Sequence, residues 1–305
     1  MIIESQLMEW GLFGQAFSWL LDLLPYCDRY GGNHVTEWRL RSKHYGEPPD
    51  FSLLPMVFEM VYKPEPDPIG RVSFEDLHWH LNPNDGAGRH FKGDFNLANK
   101  YWSSYFRLTP VVTDMVDEYC KERNLGANTL ALHYRGTDQY SIHNESTPVT
   151  IDEFLLVLED FLFGHTDIKR VFAASDEEPF MVRLDEFCKA HGLEMFMHDH
   201  DRAKDGRQTY LSHPPEKNKI FAYEAIRDCY TLSRCHYCLS NFSALSAWSK
   251  VLNPELLSYR ISSCKIQGTD RGGAFPHGWA PKYLGNRPEV QELLKRLQSE
   301  DWQLR

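Results

Sequence analysis

From residue 109 onward, short apolar runs alternate with stretches whose apolar positions recur at helical spacing. Thr109-Pro110 supplies an N-cap and a first-turn proline, and Val112, Met115, Val116, Tyr119 and Cys120 then fall three or four residues apart. The pattern predicts a helix there, a turn at Gly126, and a strand from Thr129 to Tyr134. It goes on to predict a helix from Thr150 to Phe163, a strand from Arg170 to Ala174, and a helix from Pro179 that Gly192 stops. A strand from Leu193 to His198, a helix from Ile220 to Leu232 and a strand from His236 to Leu239 come next. A short helix after Ser243 and a strand from Leu256 to Ile261 complete the series. Strands alternating with such helices predict parallel β-α-β winding. A last helix, about Pro288 to Gln298, carries the stripe Val290, Leu293, Leu294 and Leu297 and needs a surface to dock on.

The amino-terminal end shows a weaker version of the same order. A strand from Ile2 to Glu9 leads through a turn with Gly11 and Gly14 into an apolar helix from about Gln15 to Tyr30, and His34 to Trp38 reads as extended. The two glycines sit where backbone approaches a ligand at a helix N-terminus. Residues 41–107 are rich in proline (Pro48, Pro49, Pro64, Pro66, Pro68) and in turns such as Asn82-Pro83-Asn84-Asp85-Gly86, which predict loops and short helices in no readable order. The expected architecture is α/β, with two Rossmann-like halves at 1–122 and 123–262 and residues 263–305 packing back across them. Ligands in such sheets bind beyond the carboxyl ends of the strands.

Composition narrows the class. The chain has 305 residues, 42% apolar and 25% charged, which supplies cores for one large or two modest domains and excludes disorder or fibre. Its 33 Lys plus Arg against 43 Asp plus Glu, a formal net charge of −10, disfavour a nucleic-acid surface, so any bound phosphate must meet a local positive site. Seven scattered cysteines make no disulfide framework, and reduced thiols are expected. Glu4 and Glu9 stand where a signal peptide needs basic residues, and Asp22 interrupts the apolar stretch from Ala16 to Leu24, so a cytoplasmic chain without a membrane span is expected. The sequons at Asn144 and Asn241 matter only in a secreted chain.

Four strand ends in the second half carry polar groups: His133 to Asp138, Ser175-Asp176-Glu177, His198-Asp199-His200-Asp201 and Ser240-Asn241-Phe242-Ser243. All converge on one sheet edge. The Arg135 guanidinium suits a diphosphate through paired charge-assisted bonds, and Ser243 at a helix start adds hydroxyl and backbone donors. Read from this hexapeptide alone, Arg135 is more often a surface partner of Asp138. Cys235-His236-Tyr237-Cys238 has CxxC spacing without a second pair and reads as a buried strand rather than a zinc site. In His198-Asp199-His200-Asp201 alternate residues face opposite ways on an extended chain, which works against one shared cation site. No metal site is expected. His78-Trp79-His80 and Trp102 suit stacking on sugar faces, although tryptophans more often pack the core.

The segments His133-Tyr134-Arg135-Gly136-Thr137-Asp138, Phe172-Ala173-Ala174-Ser175-Asp176-Glu177, and Glu224 to Cys235 running into Asn241-Phe242-Ser243 together resemble the α1,6-fucosyltransferase and nodulation-fucosyltransferase superfamily. The resemblance covers about half the chain, and the Gly11-Leu12-Phe13-Gly14-Gln15 turn is similar to the family's first loop only weakly. It implies a GT-B fold, with sheets facing across a cleft, and a metal-independent inverting transfer from GDP-fucose, a donor substrate, to a glycan hydroxyl, with no cofactor. By position it assigns His133 and Asp228 to the guanine and Arg135 to the donor diphosphate, with Asp176, Glu177 and Ser243 near the donor. A carboxylate such as Asp228 accepts the ring N–H and the exocyclic amine of guanine, a pair that adenine does not present. Read alone, Asp228 is a helix-surface acid paired with Arg227 or Arg234, and Ser-Asp at a strand end is often only a helix cap.

The chain departs from the family where a second arginine is replaced by Gly136 and a second serine by Ala244. The family's loop glutamate falls at His143, with Glu145 two residues later, so either is a candidate base. The reading is therefore an inverting glycosyltransferase using a GDP-sugar, fucose first. Its alternatives are another nucleotide-sugar donor on the same fold and a non-catalytic nucleotide- or glycan-binding module.

Overall fold

The computed structural model describes residues 2–4, 12–29, 37–39, 57–61, 71–73, 91, 93–136, 147–204, 218–263 and 280–299. In the first part, β1 (Ile2–Glu4) precedes a π-helical turn (Leu12–Phe17) that runs into α1 (Ser18–Arg29), followed by β2 (Glu37–Arg39), β3 (Phe58–Met60) and β4 (Arg71–Ser73). Next come α2 (Phe95–Tyr105), β5 (Phe106–Leu108) and α3 (Pro110–Glu122). β1 lies between β2 and β4, parallel to both, and β3 pairs antiparallel with β5. The region that offered no readable order therefore contributes strands to two sheets. It also contributes α2, whose start is capped by the Asp94 side chain accepting from Leu97 N–H at 2.9 Å.

The second part follows the expected alternation closely. β6 (Thr129–Tyr134), α4 (Ile151–Gly164), β7 (Arg170–Ser175), α5 (Glu178–His191) and β8 (Glu194–Phe196) are followed by α6 (Asn218–Ser233), β9 (Tyr237–Ser240), α7 (Ala244–Leu252) and β10 (Leu257–Arg260). All six residues of β6 are buried, as befits a central parallel strand covered on both faces. α4 begins in a capping box, with Thr150 Oγ1 accepting from Glu153 N–H and the Glu153 carboxylate accepting from Thr150 N–H. α5 ends at Gly192, whose φ of 67° is the left-handed conformation that glycine adopts without strain.

These strands form one parallel sheet in the order β10-β9-β6-β7-β8. The chain moves outward from β6 to β7 and β8, then crosses back to β9 on the other side of β6. The order reverses between β6 and β9, and in open parallel sheets the carboxyl ends of the strands at such a reversal are where ligands bind.

One face of the sheet buries Leu130, Leu132 and Tyr134 against Phe154, Phe161 and Phe180, and α8 (Pro288–Leu297) adds Val290, Leu294 and Leu297 to that layer. The buried Asp160 fastens this segment, accepting from Tyr283 Oη, from the backbone N–H groups of Asn286 and Arg287, and from Arg287 Nε at 2.7–3.1 Å. A further core joins the two parts of the chain: Phe17, Phe58, Trp102 and Phe106 pack with Ile226 of α6 and with Trp248 and Val251 of α7. Trp102 and Trp248 meet edge to face at 4.8 Å, and Trp248 Nε1 donates to Phe13 O and Ser18 Oγ. Trp102 is thus a core residue and offers no face to a sugar; His78, Trp79 and His80 lie outside the described residues.

Candidate functional site

The site is built where β6 and β9 end. Tyr134 turns into the core, stacked on Phe180 at 4.4 Å with its hydroxyl donating to Val149 O, while the neighbouring His133 is buried from the other face. Burial, followed by the Arg135 charge, lowers the His133 pKa to about 3, so the imidazole is neutral. Its Nδ1 is buried without a hydrogen-bond partner among the described residues.

Arg135 and Gly136 continue the chain past the sheet edge. Asn241, the first residue after β9, is buried and clamps this turn: its Oδ1 accepts from Arg135 N–H at 2.9 Å and its Nδ2 donates to Arg135 O at 2.7 Å. An amide so engaged is closed to glycosylation in the folded chain. Gly136 N–H donates to Asp176 Oδ1 at 3.1 Å, tying the same turn to the end of β7. The Glu177 carboxylate lies against Gly136, where a β-carbon would collide with it. Burial, reinforced by Asp176, raises the Glu177 pKa to about 7. Ser243 caps α7 through Leu245 N–H, and Ser175 Oγ accepts from Glu177 N–H.

Asp228 sits in a second cluster, on the face of α6 turned to the segment after β8. It is buried, in contrast to the helix-surface acid its sequence suggests; Arg234 pairs instead with Asp117. Burial raises its pKa to about 7 against the lowering pull of Arg227 and Arg202. Oδ1 has no hydrogen-bond partner among the described residues, and Oδ2 lies 3.4 Å from His200 Nε2. Side chains after β8 do alternate: His198 and His200 turn inward to α6, and Asp199 and Asp201 are exposed. His198 Nε2 bonds Thr231 Oγ1 at 2.8 Å, and Thr231 spends its own proton on Arg227 O, so His198 is the donor. Burial first, then the neighbouring arginines, lowers both histidines to about 3.

The same segment joins the two clusters. Arg202 holds it by donating to His198 O and His200 O, and one residue later Ala203 N–H donates to Asp176 O while Ala203 O accepts from Glu178 N–H. Arg135, Gly136, Asp176, Glu177 and Asn241 are therefore in direct contact, with Ser243 on the same β9 exit, and Asp228 is linked to them through residues 198–203. Gly14 lies in the π-helical turn. Gly11, His143 and Glu145 fall outside the described residues.

Among the described residues no group of three or more His, Cys, Asp or Glu side chains is arranged to hold a metal ion. Cys235 and Cys238 are buried thiols; Cys235 Sγ donates to Thr231 O, and burial pushes Cys238 up to about 12. The sequence places Asn241 and His200 among the polar strand ends without assigning either a role at the site. Asn241 had a signal, an amide placed directly after a buried strand, and His200 lay in the alternating pattern.

No protein-family model matches the chain, and no curated protein does. Solved structures do. Fucosyltransferase NodZ from Bradyrhizobium aligns over 83% of this chain and 92% of its own, at 13% identity and a TM-score of 0.52. The chain is similar in fold to NodZ. A second structure, NodZ α1,6-fucosyltransferase co-crystallised with GDP, gives the same coverage and identity with a TM-score of 0.51. At this identity the likeness to NodZ concerns architecture, and it bears out the expected α/β, GT-B-like class.

Proposed function

We propose that the chain is an inverting, metal-independent glycosyltransferase that moves a sugar, fucose first, from its GDP donor to a hydroxyl of a glycan acceptor. The observation that carries the reading is the Arg135–Asn241 clamp at the point where the strand order reverses. In an open parallel sheet this is where a nucleotide lies, and Arg135, the residue held in this turn, would supply a guanidinium for its diphosphate. Residues 123–262 form the nucleotide side of the proposal, 1–122 the acceptor side, and the C-terminal segment supports the former. A reducing compartment such as the cytoplasm accords with the described cysteines, which are buried and unbridged; no described helix is long and apolar enough to cross a membrane.

In the proposed reaction the acceptor oxygen bonds the anomeric carbon while the bond from that carbon to the β-phosphate oxygen breaks, its electron pair leaving with GDP. The hydroxyl proton goes to a base, for which His143 and Glu145 are the candidates. Arg135 stabilises charge on the departing diphosphate, and His133, neutral and with an open Nδ1, joins Asp228 at the base. Asp176 and Ser243 shape the turns beside the donor. One observation favours a second reading with another donor sugar: the Glu177 carboxyl fills the space beside Gly136, so an acid stands where the family pattern carries a second arginine.

Hydrolysis of GDP-fucose, other GDP-sugars, UDP-sugars and ADP-sugars tests the proposal without an acceptor. GDP-fucose turnover that falls about a hundredfold in Arg135→Ala is expected, the loss of about 3 kcal/mol typical of one such donor group. Turnover of none of them, with no transfer to glycans, would make the chain a binding module.

A further inference from the structure

We infer that His200 is a positioning residue that presents Asp228 to the nucleobase of the donor. The inference rests on the proposed nucleotide reading and deepens it. Arg227 Nη2 lies 3.5 Å from His200 Nδ1, and a guanidinium only donates, so Nδ1 is the acceptor. The neutral ring then carries its proton on Nε2, which faces Asp228 Oδ2 at 3.4 Å. Both side chains are almost wholly enclosed, with relative exposures of 10% and 7%.

The arrangement gives polarity to a row of groups: guanidinium, imidazole, carboxylate. It sets an N–H at 3.4 Å from one oxygen of Asp228 and leaves the other, Oδ1, buried without a hydrogen-bond partner among the described residues. A buried acceptor without a donor is costly unless a ligand completes it, and an N–H of guanine has the required sense while N1 of adenine, an acceptor, does not. Without the Nε2–H beside it, the carboxylate is drawn to the charges of Arg227 and Arg202 or takes up a proton, and either change spoils an acceptor aimed at a base. Asp201 and His198 beside the ring, Tyr119 of α3 and Glu224 of α6 are the other charged and titratable groups near this pair. The ring is further held in register because Arg202 fixes the backbone of residues 198 and 200, and Ala203 is anchored on Asp176.

The test compares His200→Gln, whose amide nitrogen reaches the place of Nε2, with His200→Asn, whose nitrogen reaches only as far as Nδ1. GDP, IDP and ADP are titrated into each variant and the wild type, with melting curves to show that each is folded. His200→Gln is expected to keep the wild-type preference for GDP over ADP. His200→Asn is expected to lose about tenfold in GDP affinity with ADP unchanged, the size of one polar contact to a charged group. An unaltered preference in folded His200→Asn, or equal losses in both variants, overturns the role of His200. A wild type that binds GDP and ADP alike refutes instead the nucleotide reading on which it rests.

Discussion

Asn241 and Arg135, 106 residues apart, hold each other by two hydrogen bonds of opposite sense, carboxamide oxygen to backbone N–H and carboxamide nitrogen to backbone carbonyl. An asparagine is well suited here because a carboxamide alone offers an acceptor and a donor side by side. Asn241→Ala removes both. The expected loss is about 2 kcal/mol in urea unfolding, with at least tenfold weaker GDP binding as the Arg135 turn loosens. Unchanged GDP affinity in a destabilised Asn241→Ala would separate this turn from the donor site.

Gly136 and Glu177 are coupled by space. Gly136→Ala forces the carboxylate aside, and since the displaced atoms end a flexible side chain the expected destabilisation is about 1 kcal/mol. Glu177→Ala clears the space, so the double variant should recover the loss. A double-mutant cycle in melting free energy is expected to show coupling of at least about 0.5 kcal/mol; strict additivity would contradict the contact.

The pH dependence of GDP binding reports Asp228. His200 has its pKa lowered to about 3 and stays neutral near pH 7, whereas Asp228 is raised to about 7, so the carboxylate titrates in the working range. Its ionised form is the acceptor. GDP affinity should be level above about pH 8 and fall about tenfold per unit below about pH 7, while Asp228→Asn binds weakly with no such limb. Calorimetric titration across that range measures both.

The same shifts act on stability with opposite signs. Asp228 holds its proton in the fold from 3.8 up to about 7, so its contribution is present at low pH and is lost as pH rises through about 7. His133, His198 and His200 are neutral in the fold down to about 3, so the unfolded chain gains protons below 6.5 and stability falls on acidification. In Asp228→Asn the acid-side loss should steepen, because one of the raised carboxyls that oppose the histidines, a set that includes Asp228 and Glu177, is gone. Urea unfolding between about pH 4.5 and 7 measures the slope; a shallower one counts against a protonated Asp228 in the fold.

Asp160 anchors the C-terminal segment. Burial alone would raise its pKa, yet bonds from Asn286, Tyr283 and Arg287 outweigh that and hold it below the usual carboxylate range. Asp160→Ala leaves those donors without their acceptor, and a loss of about 3–5 kcal/mol with early proteolysis before α8 is expected. Denaturant unfolding and timed proteolysis check this; a loss below about 1 kcal/mol would show that α8 is held by its apolar face alone.

Local rules carried far in the second part of the chain. The boundaries of β6 could be read because a strand buried on both faces is a continuous apolar run, and α4 and α5 because Thr150 with Glu153 and Gly192 mark their ends. β8 stops at Phe196, short of the expected His198, since the Met197 and His198 carbonyls accept from Tyr119 and Arg202 instead of a ladder. In residues 41–107 strands of three residues are too short to show a period. The helix α2 did leave a trace in Asp94 and in Phe95, Ala98, Trp102 and Tyr105, obscured by the surrounding prolines and turns.

By itself the sequence determined the succession of strands and helices, the polar groups at each strand end, and the α/β class, because all of these follow from neighbours within a few turns of chain. Tertiary structure alone decided that β9 returns beside β6, that Asn241 closes the Arg135 turn, and that Asp228 is buried against His200 rather than exposed on a helix. Periodicity says which face of an element is apolar and is silent on which element covers it. Contacts between distant residues, and the shifted acidities that burial brings, exist only once strand order has been chosen.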